Sequence, residues 1–396
     1  MAFGLGKKDT DYSVIIDVHS GSVGIAIMYA PTSTENPELI FTHREYIKII
    51  EYPNTENLVR AIRNALFSAV LQFSQEGTKL LQEHNAYAKI GKTLLVCGAP
   101  WAQTATRFIR VEDKEPFLIT EEKIRSLIQE TERRDETELQ TTALLKELNV
   151  SLVEHAVVHT AINGYPVHNP YGKKGKELTL SHISGLVPKA IIEAVRDIED
   201  KVLMHVPRIT HTFALVLFCV LRDMHPEIKH AITVDISGEA TEICIIQDEV
   251  LMETYVFPYG THTFLRDVAL KLNTFPDEAL THIRENNDSA PEAVRGAIDE
   301  VSALYVAQLT EAYTSLNARY VIPKHLFLTT SRALDVFFDP LVQKASEKYI
   351  GNHGAFISMN TAMIPPSKDG SVDSKDIFFL LEARFFHKMH TCGEIT

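Results

Sequence analysis

The sequence predicts an α/β fold of two related lobes, each built on a mixed sheet covered by helices. Two observations carry this. Two strand–turn–strand units share one design: Ile15-Ile16-Asp17-Val18-His19-Ser20-Gly21-Ser22 and Thr233-Val234-Asp235-Ile236-Ser237-Gly238-Glu239. In each, an apolar strand ends in Asp, passes through Ser and Gly, and returns as a second apolar strand, an internal repeat that implies two facing lobes. The chain, at 396 residues, also has room for two or more domains of roughly 100–200 residues each.

The elements follow in order. Val14–Ile16 and Val23–Met28 are short apolar runs around turn residues, hence a hairpin. Ile40–Ile50 is a third strand. Leu58, Ile62, Leu66, Ala69, Val70 and Phe73 recur at helical spacing, with Thr55 favoured over Asn57 as the cap. Thr93–Cys97 is a buried strand stopped by Gly98 and Pro100. Thr120 opens a helix through the charged stretch Glu130–Glu138, a solvated face. Val150–Val158 and Leu178–Ile183 are strands around the turn signal Asn163-Gly164. Pro188 starts a helix to about Leu203, and Phe213–Leu221 is an apolar helix. In the second unit, Ala231–Val234, Thr241–Ile246 and Val250–Val256 are strands. Helices follow at Thr263–Leu272, Pro276–Asn286 and Pro291–Leu316, then the strand His325–Leu328 and a turn into a last helix of this lobe. Pro365–Asp376 is a linker, and Ile377–Met389 a final apolar segment.

Composition narrows the function. Apolar residues at 45% and charged residues at 23% are ordinary globular usage, which excludes a disordered chain. A net charge of −13 excludes a dedicated nucleic-acid binder, which needs basic surface. Cys97, Cys219, Cys244 and Cys392 form no C-x-x-C pair and read as free thiols in a reducing compartment. No run reaches the ~18 apolar residues of a membrane span, and the start has no apolar signal core; the expectation is a cytoplasmic protein.

Two facing turns of small residues can clamp a phosphate chain, because backbone N–H groups then reach its oxygens. An Asp before each turn can hold Mg²⁺ directly or through water. The sequence thus points to Asp17 and Asp235 as metal residues, with Ser20, Gly21, Ser22, Ser237, Gly238 and Thr241 around phosphate.

In these segments the chain resembles the actin-fold ATPases, and within them the bacterial FtsA/PilM branch, from about Tyr12 to Tyr349. Asp17–Gly24 resembles the first phosphate loop and Asp235–Glu242 the second. Phe257-Pro258-Tyr259-Gly260, with Arg266-Asp267-Val268-Ala269, resembles the segment and helix that follow. His325–Ser331 stands at the adenosine turn. Ile162-Asn163-Gly164-Tyr165-Pro166, Asn169-Pro170-Tyr171-Gly172, Gly175, Leu178 and His182-Ile183 follow the small subdomain of the FtsA group, which PilM shares in outline, and Phe3–Lys8 resembles the start of PilM-like chains. The resemblance implies an actin-like, ribonuclease-H-like two-lobed fold. It implies a first-lobe core of residues 1–91 and 188–227, a small subdomain of 92–187, a second-lobe core of 228–256 and 323–364, a helical part of 257–322, and a C-terminal segment of 365–396. It also implies ATP with magnesium as cofactor and adds Gly260, Thr329 and Thr330 to the nucleotide residues.

The departures weaken nucleotide chemistry. Ser237 and Glu239 stand where the second loop carries glycines, Thr329-Thr330 replaces the Gly-Gly of the adenosine turn, and His19 replaces a glycine of the first. A Glu239 carboxylate facing phosphate at ~4 Å in an effective dielectric of ~20 would cost ~4 kcal/mol unless a cation meets it. His19 reads as a surface turn residue. Weak ATPase activity at best is expected, and no catalytic residue is assigned.

Other features read blandly. His155 and His159 are four apart, but the segment reads as a strand with no third ligand at an obvious spacing, so no metal site is assigned. Trp101 is a packing residue. Ile377–Met389 is either packed on the second lobe, the favoured reading, or an amphipathic membrane helix. The resemblance implies first an FtsA-like scaffold that polymerises and links a division or envelope partner to the inner face of the cell membrane. It implies second a PilM-like adaptor for pilus or secretion assembly that binds a partner peptide, and third an active ATPase.

Overall fold

The computed structural model describes residues 9–31, 36–141, 149–203, 206–285, 290–330, 334–351, 354–359 and 376–392. Phe3–Lys8, Ser331, the 286–289 loop and residues 365–375 of the linker lie outside them.

The first sheet contains β1 (Asp9–Val18), β2 (Ser22–Tyr29), β3 (Glu38–Tyr46), β4 (Ala88–Cys97) and β9 (Arg208–Thr212), in the order β3-β2-β1-β4-β9. β1, β2 and β3 are antiparallel neighbours, while β4 runs parallel to β1 and β9 to β4. The second sheet repeats this plan with β10 (Ala231–Ile236), β11 (Thr241–Gln247), β12 (Val250–Phe257), β13 (His325–Thr330) and β14 (Ala355–Ser358), in the order β12-β11-β10-β13-β14. Strand senses match pair for pair. The internal repeat is thus a repeat of whole sheets, and it places the two Asp-bearing turns at equivalent ends of equivalent strands.

The period of two decides what each face of β1 does. Val14, Ile16 and Val18 enter the core shared with α1 (Thr55–Gln72), α2 (Thr78–His84) and α4 (Lys189–Val202). Ile15 enters the other core, built on α5 (Phe213–Met224) and α10 (Ile377–Cys392). Asp17 shares Ile15's face. Every residue of α5 from Phe213 to Leu221 is buried, since this helix lies between the sheets with apolar neighbours all round. In the second lobe, β10 and β13 pack against α6 (Thr261–Leu272), α7 (Pro276–Glu285), α8 (Glu292–Asn317) and α9 (Asp335–Ile350).

The small subdomain is an antiparallel sheet in the order β5-β8-β6-β7, from β5 (Gln103–Leu118), β6 (Val150–Ile162), β7 (Tyr165–Pro166) and β8 (Lys174–Pro188). The helix α3 (Glu121–Thr141) covers it through Ile124, Leu127 and Ile128.

Several expectations are corrected. The cap of α1 is Asn54, not Thr55: its side chain accepts from the Asn57 N–H at 2.9 Å, and the Asn57 side chain accepts from the Asn54 N–H at 2.8 Å. β5, β9 and β14 had no signal, because β5 is polar and largely exposed and the other two are short. The C-terminal segment packs on α5, β1 and β3 of the first lobe rather than on the second lobe. Its apolar side chains Phe378, Phe379, Leu381, Phe385 and Phe386 are buried in the core. Trp101 is a buried packing residue, and Cys97, Cys219 and Cys244 are buried free thiols. Among the described residues, no helix is long and apolar enough to cross a membrane.

Candidate functional site at the junction of the two turns

The β1–β2 and β10–β11 turns meet. The Ser20 and Ser237 hydroxyls lie 2.7 Å apart, and the Ser20 N–H donates to Ser237 Oγ at 3.3 Å. The Glu239 N–H donates to Ser20 Oγ at 2.8 Å. Gly238 lies directly on Gly21: a Cβ there would stand 2.6 Å from the Gly21 nitrogen and 2.7 Å from its Cα. The backbone groups that would face a phosphate chain from two sides are in contact with each other instead.

His19 is not a surface residue. It is 2% exposed, packed on Gly98 and against Phe213 and Phe378. Its Nε2 is 3.0 Å from Asp17 Oδ1, and its Nδ1 is 3.8 Å from Asp235 Oδ2. The imidazole therefore bridges the two carboxylates assigned to a metal. Burial opposes its charged form, but Asp17, and less strongly Asp235, raise its pKa above the ordinary histidine value. Asp17 also pairs with Arg44 at 2.7 Å. Burial disfavours its charge, yet His19 and Arg44 hold its carboxyl far below the usual range. Arg44 donates to Ser22 Oγ at 3.0 Å and to Asp376 Oδ1 at 3.2 Å, and stacks on Phe378 and Phe379. Glu382 completes this buried group; burial first, then the Asp17 charge, raise its pKa well above normal.

In the second turn, Glu239 faces cations. Arg266 donates to its two carboxylate oxygens at 2.9 and 2.6 Å, and His262 Nδ1 lies 3.4 Å away. Burial pushes this carboxyl up, but Arg266 and His262 outweigh it and bring it down to about 2. Glu242, opposite Asp235 in the hairpin, is pushed up to about 8 by burial and then by Asp235. Gly260 is a glycine because its Cβ would strike the Ser237 and Gly238 carbonyls at 2.4 and 2.5 Å. That close approach lets the first N–H groups of α6, from Thr261 and His262, donate to those same carbonyls at 2.9 and 2.7 Å. The helix terminus is thereby committed to the turn.

The structure brings Asp17, Ser20, Gly21, Asp235, Ser237, Gly238, Gly260 and Thr329 together. The Thr329 hydroxyl donates to Asp235 Oδ1 at 2.6 Å. Ser22 joins through Arg44, and Thr330 pairs with Ile236 in register. Thr241 turns into the core, where its hydroxyl donates to the Tyr259 carbonyl at 2.7 Å. Arg44, Arg266, His262 and Glu382 were missed as site residues. The run from Phe378 to Phe386 offers one signal: Glu382, with Arg384 two residues on, places charge inside a core-forming segment, and a buried charge needs a partner.

In this arrangement the residues do not fit a magnesium–nucleotide complex. The cation position between Asp17 and Asp235 is filled by His19, and the phosphate position by the contact of the turns. A groove of about 710 Å³ in the second lobe, between α8 and α9 and lined by Ile298, Phe337 and Leu341 among others, includes none of these residues.

No family model matches the chain, and no curated protein matches it. Solved structures do. A chain of the PilM–PilN type IV pilus biogenesis complex superposes with a TM-score of 0.57 at 12% identity, over 97% of this chain and 99% of that one. A Bacteroides thetaiotaomicron protein with an actin-like ATPase fold and unknown function gives 0.45 at 10% identity, over 98% and 99% of the chains. EutJ, an ethanolamine utilization protein from Carboxydothermus hydrogenoformans, gives 0.44 at 12% identity, over 94% and 89%. The fold is the actin-like ATPase fold. The chain is similar in that fold to PilM along nearly its whole length.

Proposed function

We propose that the protein is a nucleotide-independent actin-fold adaptor of the PilM kind, which holds a segment of an envelope or pilus-assembly partner on its small subdomain. One observation carries the reading: the Ser20–Ser237 contact, with His19 between Asp17 and Asp235, closes the site where the fold would take nucleotide. A protein so closed works through its surfaces. Support for a partner comes from β5, an edge strand of the small sheet with the half-exposed Phe108, and from the exposed Tyr165 on β7 at the sheet's other edge and Tyr171 in the loop after it. An open strand edge takes an extended peptide by strand addition. The FtsA-like scaffold is the weaker reading, because the segment that would reach a membrane is part of the core.

Calorimetry of the full chain with ATP and Mg²⁺, followed by electron microscopy, tests the nucleotide half. The expected result is no binding and no nucleotide-dependent filament. Micromolar binding overturns it. For the partner half, Phe108→Glu is expected to release a co-purifying envelope protein without lowering the melting temperature; retention of that protein overturns the assignment to β5.

A further inference from the structure

We propose that Glu132, His155 and His182 form a binding site for a borderline divalent metal ion, with zinc as the fitting example, between α3 and the small sheet. Their potential ligand atoms all lie within 4.8 Å of one another. His155 Nδ1 and Glu132 Oε1 are 3.6 Å apart, and the two imidazoles face each other with centroids at 5.6 Å. Ligands about 2.0–2.1 Å from a tetrahedral zinc are roughly 3.3 Å from each other, so small rotamer shifts gather this set. Two imidazoles and a carboxylate suit zinc and its neighbours in the transition series better than magnesium or calcium.

The independent observation is His182. Its side chain is fully buried, and neither ring nitrogen has a hydrogen-bond partner among the described residues. A buried imidazole without partners is costly unless something completes it.

The backbone explains the membership. In the β6–β8 ladder Val157 faces His182 and His155 faces Ser184, so the two histidines are diagonal neighbours on one face. A register shift between Val157 and His159 sets His159 opposite Ser181, on the other face. The four-residue spacing of His155 and His159 is therefore irrelevant, and the partner of His155 comes from another strand. A bound ion would tie the charged second half of α3 to the sheet, beyond the apolar anchor of Ile124, Leu127 and Ile128.

The test uses the full chain freed of metal with a chelator, titrated with Zn²⁺ by calorimetry and with Co²⁺ by visible absorption. One equivalent is expected, with the Co²⁺ bands of a four- or five-coordinate nitrogen–oxygen site. His155→Ala and Glu132→Gln are expected to weaken binding on the order of tenfold or more, and His159→Ala to leave it unchanged. His182→Ala is expected to abolish binding; if that variant does not fold, the partly exposed His155 and Glu132 carry the test. Absence of a saturable single site overturns the proposal. So does full-strength binding in both His155→Ala and Glu132→Gln.

Discussion

Ser20 and Ser237 join their hydroxyls at 2.7 Å across 217 residues of chain, and through them the two halves of a repeated fold close on each other. The contact is made of backbone and small side chains, so it is short and stiff. The following substitutions act on it or on its surroundings.

Gly238→Ala places a methyl group against the Gly21 and Ser20 backbones at 2.6–2.8 Å, where no flexible side chain can move aside. A loss of ~1–3 kcal/mol is expected, as for other overpacked sites. Urea unfolding measures it. A change within the error of the extrapolation would mean that the lobes part readily.

His19→Ala removes the imidazole paired with Asp17 and set between it and Asp235, and opens a void beside two buried carboxyl groups. Breaking a buried charge pair from one side costs about 3–5 kcal/mol, so a strongly lowered melting temperature is expected. If His19 were a solvent-facing turn residue, its removal would leave the melting temperature unchanged.

Glu239 gives an acid-limb signature. Its folded pKa of about 2 lies below the ordinary 4.5, so the unfolded chain binds the extra proton between these values. Its contribution is full above pH ~5, is lost as pH falls towards 2, and amounts to about 3 kcal/mol. Glu239→Gln should flatten the loss of stability over that window, and Arg266→Ala should do the same. An unchanged pH profile in both variants would show that the ion pair does not form.

Phe379→Ala distinguishes a core helix from a membrane segment. Phe379 is fully buried on Gly24 and under Arg44. Truncation is expected to destabilise the isolated protein by ~3–5 kcal/mol. A segment held in reserve for lipid would tolerate the change in solution and lose only vesicle binding.

The strand–turn–strand units around Asp17 and Asp235 were legible because burial on both faces imposes apolar runs, and the turns between them demand Ser and Gly. The apolar helix at Phe213–Leu221 was legible for the same reason. β5 was not, since an exposed edge strand needs no apolar pattern. Thr55 is as good a cap as Asn54 by residue type, since Ser, Thr, Asp and Asn are all favoured there; only the backbone conformation selects Asn54. Glu239 in a phosphate-loop position demands a cation, which the sequence shows, but its pairing with Arg266 depends on the pitch of α6.

By itself the sequence determined the repeated α/β plan, the place of the two turns, and which loop positions depart from a nucleotide-binding pattern, because periodicity and turn chemistry are local properties of the chain. Only the tertiary structure decided that the turns touch, that His19 lies between the two aspartates, that the C-terminal helix belongs to the first lobe, and that His155 meets His182 rather than His159. Each of these depends on which strands become neighbours and in which register, and a single shifted residue in a ladder reverses the face on which a side chain appears.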